Sequence, residues 1–146
     1  MTGPGTGGLA VVGLGPGAAE LVTPDAAAAL AAATAIYGYG PYLDRVPARE
    51  GQARHPTDNR VEIERARAAL AAAAAGRRVA MVSGGDPGVF AMAAAVCEAV
   101  EHGAPEWRAI PLTVHPGVTA MLALAARAGA PLGHDFCAVS LSDNLK

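Results

Sequence analysis

Aromatic residues are scarce in this chain: two Phe, three Tyr and one Trp make up 4% of its 146 residues. A core of large rings is thereby excluded, and the interior must be built from Val, Leu, Ile, Met and Ala. Cysteine is nearly absent as well. Cys97 and Cys137 lie far apart in apolar surroundings, which reads as two buried thiols in a reduced compartment rather than a disulfide or a catalytic pair. There is no block of like charge, and the net charge is −2, which argues against nucleic acid or an anionic membrane as partner. The start has no cationic patch before an apolar stretch, so no secretory signal is read. The longest uncharged run, 26–43, is alanine-rich in its first half and interrupted by Gly38, Gly40 and Pro41. A spanning helix needs about twenty strongly apolar residues, so this run reads as a helix followed by a strand, and the chain as cytoplasmic. His55, His102, His115 and His134 show no ligand-like spacing with each other or with the cysteines, and no metal site is expected.

What is present is glycine in two loops, Gly13-Leu14-Gly15-Pro16-Gly17 and Ser83-Gly84-Gly85-Asp86-Pro87. Each follows a run of apolar, β-favouring residues and leads towards a helical pattern. Loops at the carboxyl ends of neighbouring strands are where open α/β sheets bind small molecules. Glycine there lets a ligand approach the main chain and leaves N–H and C=O groups free to contact it. For both loops the alternative is a tight turn with no ligand.

Periodicity and punctuation predict the order β-α-β-α-β-α-β-α-β. Strands are expected at 9–13, 34–38, 78–83, 110–114 and 136–141. Thr23-Pro24-Asp25 reads as a helix start, with Thr as N-cap and Pro at the first helical position, and that helix should run to about Ala33. A short helical turn is expected within 39–46 and a polar loop over 47–57. Asn59 and Glu62 have capping-box spacing ahead of a helix ending near Ala75, with Gly76 as its cap. Further helices are expected from Gly88 to about Glu101, closed by Gly103, and from Thr119 to Arg127, capped near Gly129. The fold class is therefore α/β: one domain with a five-stranded, mostly parallel sheet and helices on both faces. Ser142-Asp143-Asn144 after the last strand reads as an exit into further chain, so residues 1–146 are taken as the first half of a longer protein.

The first loop formally fits the dinucleotide pattern G-x-G-x-x-G/A. That mechanism needs the helix N-terminus at the loop to meet the pyrophosphate, whereas the best helix start here is Thr23-Pro24. It also needs an acid at the end of the second strand, which ends in Tyr37-Gly38. Taken together, VVGLGPGAAELVTP at 11–24, VSGGDPGVFAMA at 82–93 and HPGVTAML at 115–122 resemble the tetrapyrrole (corrin and porphyrin) methyltransferases over nearly the whole chain. Within that family, YGYGPYLD at 37–44 and GAPLGHDFCAVSLSDNLK at 129–146 are similar to the branch that methylates precorrin-3B at C-17 and contracts the macrocycle in cobalamin synthesis.

The resemblance implies S-adenosylmethionine as cofactor, a tetrapyrrole as substrate, and a homodimer. It implies cofactor contacts from Pro16 in the first loop, from Gly84, Gly85 and Asp86 in the second with Val89 one step into the next helix, and from Thr119 and Ala120. It also implies a second domain of similar size, with the cofactor in the cleft between the two. Asp44, His55 and His134 are the candidates for proton movement during ring contraction. Arg45, Arg49, Arg54 and Arg60 could meet the substrate's carboxylates; an ordinary solvated loop is the other reading. Related uroporphyrinogen methyltransferases carry an acid where Gly38 stands here, so that base is not transferred. Two competing functions stay open: a non-catalytic half domain that binds a tetrapyrrole or a partner chain, and a dinucleotide-binding domain.

Overall fold

Apolar runs become the inner strands of one parallel sheet. In the computed structural model, which describes residues 7–142, the strands are β1 (Gly8–Gly13), β2 (Ala35–Tyr39), β3 (Ala53–Thr57), β4 (Arg78–Ser83) and β5 (Leu112–His115). Their order across the sheet is β3-β2-β4-β1-β5, and each neighbouring pair runs parallel. The helices are α1 (Pro24–Ala32), α2 (Gly40–Leu43), α3 (Glu62–Ala74), α4 (Met92–His102) and α5 (Ala120–Arg127).

Successive side chains of a strand point to opposite faces, and the core divides accordingly. Leu9, Val11, Ala35, Tyr37, Val79 and Met81 pack with α3 and α4 on one face. Val12, Ile36, Ala80 and Val82 pack with Ala26 and Leu30 of α1 and Leu43 of α2 on the other. The connection leaving β1 therefore crosses one face of the sheet, and the connection leaving adjacent β4 crosses the other. That divergence opens a crevice at the carboxyl ends of β1 and β4, the place where open α/β sheets take ligands.

The local signals for α1 hold: Thr23 is its N-cap, and its Oγ1 accepts from Ala26 N at 3.1 Å. Gly76 ends α3 as expected, donating to Ala73 O, while Arg77 N reaches back to Ala72 O. The short turn after β2 is α2.

Five strands form, but not the expected five. Residues 53–57 lie inside the expected polar loop, yet they pair with β2 from Ala35 opposite Ala53 to Tyr39 opposite Thr57. Their sequence, ARHPT, has no apolar alternation because β3 is an edge strand, where Pro56 need not donate to a ladder. Residues 136–141 form no strand. They are exposed, with Phe136 at 58% and Val139 at 72%, and no strand among the described residues pairs with them. The exit read at Ser142-Asp143-Asn144 falls, beyond Ser142, outside the described residues.

Two helix starts also differ. α3 begins at Glu62 with Val61 as N-cap, because Asp58, not Asn59, folds back onto Arg60 N. α4 begins at Met92 rather than Gly88, because residues 87–91 form a turn in which Phe90 has φ +50°. Both cysteines are exposed free thiols, which corrects the expectation of burial; Cys97 lies on the outer side of α4. Among the described residues no helix is long and apolar enough to cross a membrane.

Arg65 of α3 is a buried charge at 2% exposure. Its Nε donates to Thr57 Oγ1, its Nη2 to Asp58 O and its Nη1 to Met92 Sδ at 3.2 Å, so it ties the end of β3 to α3 and α4. Desolvation holds its guanidinium below the ordinary arginine value, against the opposing pull of Glu62 and Asp58.

Candidate functional site

Three loops leave the carboxyl ends of β4, β1 and β5, which are adjacent in the sheet. The first two are stitched together: Gly15 N donates to Gly85 O at 3.1 Å and Gly85 N donates to Gly15 O at 2.9 Å. Both glycines have left-handed φ, +70° and +60°, which side-chain-bearing residues rarely adopt. The third loop is braced by Asp86. Its Oδ1 accepts from Gly117 N at 3.0 Å and its Oδ2 from Gly88 N at 2.9 Å. Gly117 sits so close to the second loop that a Cβ on it would lie 2.2 Å from Gly85 O. Thr119 then starts α5 as its N-cap, with Oγ1 accepting from Leu122 N at 3.4 Å.

These loops bound a cleft of about 500 Å³. Pro16, Gly84, Gly85 and Asp86 line it from the first two loops, and Thr119 and Ala120 from the start of α5. Val89 lines it too, but from the turn before α4 and not from within that helix. All seven positions thus meet in one place. The cleft has further walls that sequence reasoning did not name: Tyr42, Phe90, Met121, Ala138 and Val139. Tyr42 covers Gly84, where an added Cβ would lie 2.9 Å from the phenol ring. The YGYG run before it was the available signal.

The remaining candidates do not join them. Asp44 is exposed at the end of α2, and His134 is exposed in the segment after α5. His55 stacks on Tyr37, with ring centroids 4.3 Å apart, and its Nε2 is buried without a partner. None of the three lines the cleft. Arg45 does line it, but its Nη2 is spent on Leu14 O at 2.7 Å and Gly15 O at 3.0 Å, holding the first loop in shape. Arg54 donates to Val46 O and Leu43 O, a structural clamp on the chain after β2. Arg49 and Arg60 are exposed. A second cavity of about 380 Å³ lies beside α1, reached by Arg45 and Arg49 and by none of the seven.

Gly38 has no room for a side chain: a Cβ would lie 2.3 Å from Val82 Cγ2 and 2.5 Å from Leu43 Cδ1. An acid at that position is incompatible with this packing. Two features also separate the cleft from a dinucleotide site. α1 begins at Pro24, beyond the first loop, so its N-terminus is not aimed from Gly17. β2 ends at Tyr39 without an acid. Among the described residues no group of three or more His, Cys, Asp and Glu could hold a metal.

The model of the tetrapyrrole (corrin/porphyrin) methylases matches residues 8–146. The chain belongs to that family. It is 65% identical over 141 residues to a precorrin-3B C(17)-methyltransferase from Sinorhizobium sp, covering 97% of this chain and 56% of that protein. It is 55% identical to the cobalamin biosynthesis protein CobIJ of Mycobacterium tuberculosis, covering 27% of it. Among solved structures, the methyltransferase CobJ superposes with a TM-score of 0.91 at 62% identity, over 96% of this chain and 58% of that one. A uroporphyrin-III C-methyl transferase from Thermus thermophilus, complexed with S-adenosyl homocysteine, superposes with a TM-score of 0.64 at 30% identity, over 88% and 54%. This chain spans little more than half the length of the Sinorhizobium relative and of both these structures.

Proposed function

We propose that the chain is the cofactor-binding N-terminal domain of an S-adenosylmethionine-dependent methyltransferase acting on precorrin-3B, methylating C-17 with ring contraction in cobalamin biosynthesis. One observation carries the reading: Pro16, Gly84, Gly85, Asp86, Val89, Thr119 and Ala120 line a single cleft at the switch point of the sheet. The cleft suits a nucleoside with a charged tail. Main chain at Gly84 and Gly85 offers donors and acceptors, and Val89 and Ala120 offer an apolar wall. The bound cofactor supplies an electrophilic methyl group on a sulfonium.

The chain's own contribution is positioning. The Gly15–Gly85 pair and the Asp86–Gly117 brace fix three loops against one another, so a ligand meets a preformed surface. Well-oriented reactants gain up to about 7–11 kcal/mol over free encounter, and methyl transfer from sulfur needs no acid for its neutral leaving group. Asp44, His55 and His134, lying off the cleft, are given no proton-transfer role; Arg49 and Arg60 lie off it too and are given no substrate role, while Arg45 lines it with its Nη2 bonded to the first loop. The reading includes a second domain that forms the facing wall, a homodimer, and a cytoplasmic location.

The alternative is a non-catalytic domain that binds a tetrapyrrole or a partner chain. Thermal melts in millimolar S-adenosylhomocysteine and in millimolar NAD test the cofactor assignment. A rise in melting temperature with S-adenosylhomocysteine alone is expected; a rise with NAD alone overturns the reading. Methyl transfer to precorrin-3B then separates an enzyme from a binding module.

A further inference from the structure

Phe90 is out of keeping with its surroundings twice over. Among the described residues it is the one non-glycine with positive φ, at +50°. A left-handed bulky residue costs about 1–3 kcal/mol and persists only where its neighbours hold it. Its ring recovers little of that through packing, because Phe90 is 67% exposed. The sequence around it, GVFAMAAAV, has the composition of a helix, and an uninterrupted helix would remove the strain. Instead the turn is pinned by three hydrogen bonds: Val89 N to Asp86 O at 3.2 Å, Ala93 N to Pro87 O at 2.9 Å, and Met92 N to Ser83 Oγ at 3.4 Å. These bonds delay α4 to Met92 and leave Phe90 lining the cleft, as Tyr42, Met121 and Val139 do.

We infer that Phe90 is a substrate-binding residue: its ring is the platform on which the apolar face of a flat, carboxylate-rimmed macrocycle rests at the mouth of the cleft. The inference rests on the methyltransferase reading above and adds the surface that receives the substrate. A macrocycle of this class has a carbon face and a polar rim. The rim stays hydrated, so the site needs an apolar plane rather than a closed pocket, and aromatic side chains give the largest such area with few rotatable bonds. In a chain with two phenylalanines, one is placed at this mouth in a strained turn next to Val89. The main-chain groups at Gly84 and Gly85 lie in the same cleft, so a face resting on Phe90 stands beside the cofactor's place.

The test uses the intact protein, with S-adenosylhomocysteine followed by calorimetry and uroporphyrin followed by fluorescence quenching. Phe90→Ala should weaken uroporphyrin binding roughly tenfold, the size of a good aromatic contact, and leave S-adenosylhomocysteine affinity within about twofold. Phe90→Tyr should restore uroporphyrin binding. Phe90→Gly removes ring and strain together, so it keeps the fold and should bind uroporphyrin as weakly as Phe90→Ala. Unchanged uroporphyrin affinity in Phe90→Ala, or an equal loss of both ligands, overturns the inference while the methyltransferase reading stands. So does a wild-type protein that takes S-adenosylhomocysteine and no uroporphyrin. A wild-type protein that takes no S-adenosylhomocysteine overturns both.

Discussion

The two sides of the cleft are held by different physics. Under the first two loops, β1 and β4 pair in register from Gly8 opposite Arg78 to Gly13 opposite Ser83, and Val11, Val12, Ala80, Met81 and Val82 are all 0% exposed. One strand away, β5 pairs with β1, yet Val114 is 48% exposed, and no side chain of α5 is fully buried, Met121, Ala123 and Ala125 being half-buried. Leu122 and Leu124 stand at 46% and 69% exposure on that helix. Both regions line the same site. The loops of β1 and β4 inherit their positions from burial, whereas the wall made by Thr119, Ala120 and Met121 depends on polar ties: the Thr119 cap, the Asp86 carboxylate reaching across from the second loop, and two contacts from the start of α1, Asp25 Oδ2 with His115 Nδ1 at 2.7 Å and Thr23 Oγ1 donating to Pro116 O at 3.4 Å.

The comparison breaks first at the largest contrast in burial. Met81→Ala removes a fully buried side chain from the central strand and should destabilise the protein by about 2–5 kcal/mol in urea unfolding. Leu124→Ala on α5 should change stability by less than about 0.5 kcal/mol. Similar losses for the two would mean that α5 is packed in solution in a way its exposure denies.

Next in size is the tie between the regions. Asp86→Ala removes the acceptor for Gly88 N and Gly117 N, both donating to a half-buried carboxylate. Hydrogen bonds to a charged group are worth about 1.5–3 kcal/mol when buried, and partial exposure reduces that, so a stability loss of about 1–2 kcal/mol is expected. S-adenosylhomocysteine affinity should fall by about tenfold, since the third loop loses its brace to the second loop and keeps only its ties to α1 through His115 and Pro116. Asp86→Asn keeps one acceptor oxygen and should recover part of both losses. A full-strength fold in Asp86→Ala would show that the backbone contacts at Gly117 suffice without the brace.

The same contrast governs what could be read in the sequence. The central strands announced themselves, because burial on both faces demands continuous apolar runs: 78–83 matches β4 residue for residue. The edges did not. β3 carries Arg54, His55 and Pro56, since an edge strand that faces water needs no apolar code. Residues 136–141 carry a strand-like composition with no neighbour to pair with among the described residues. The site followed glycine rather than hydrophobicity, so its main-chain positions were visible, from Gly15 beside Gly85 to the cap at Thr119. The arginines misled because charge says nothing about which carbonyls a long side chain will reach; Arg45 and Arg54 turn inward to hold backbone. Tyr42 and Phe90 were hidden for a related reason. A ring's role is set by the turn that carries it, and neither the cover over Gly84 nor a left-handed Phe90 is encoded in composition.

The finest discrimination comes from two threonines that both cap helices, Thr23 having in addition a long 3.4 Å hydrogen bond from its Oγ1 to Pro116 O. Thr23 caps α1, whose Ala26 and Leu30 are buried against the sheet, and Thr119 caps α5, none of whose side chains is fully buried. Loss of a threonine cap costs about 1 kcal/mol when the helix is part of the cooperative core. Thr23→Ala should therefore lower global stability by about that amount. Thr119→Ala should lower it by less, because fraying of α5 releases only half-buried apolar surface. Its cost should surface elsewhere: in faster amide exchange along Ala120–Arg127 and in weaker S-adenosylhomocysteine binding, since Thr119 and Ala120 form the wall of the cleft. Equal effects of the two substitutions on global stability, with exchange in α5 unaltered, would place α5 in the same cooperative unit as β1 and β4. The distinction between a wall held by a cap and a floor held by burial would then fail.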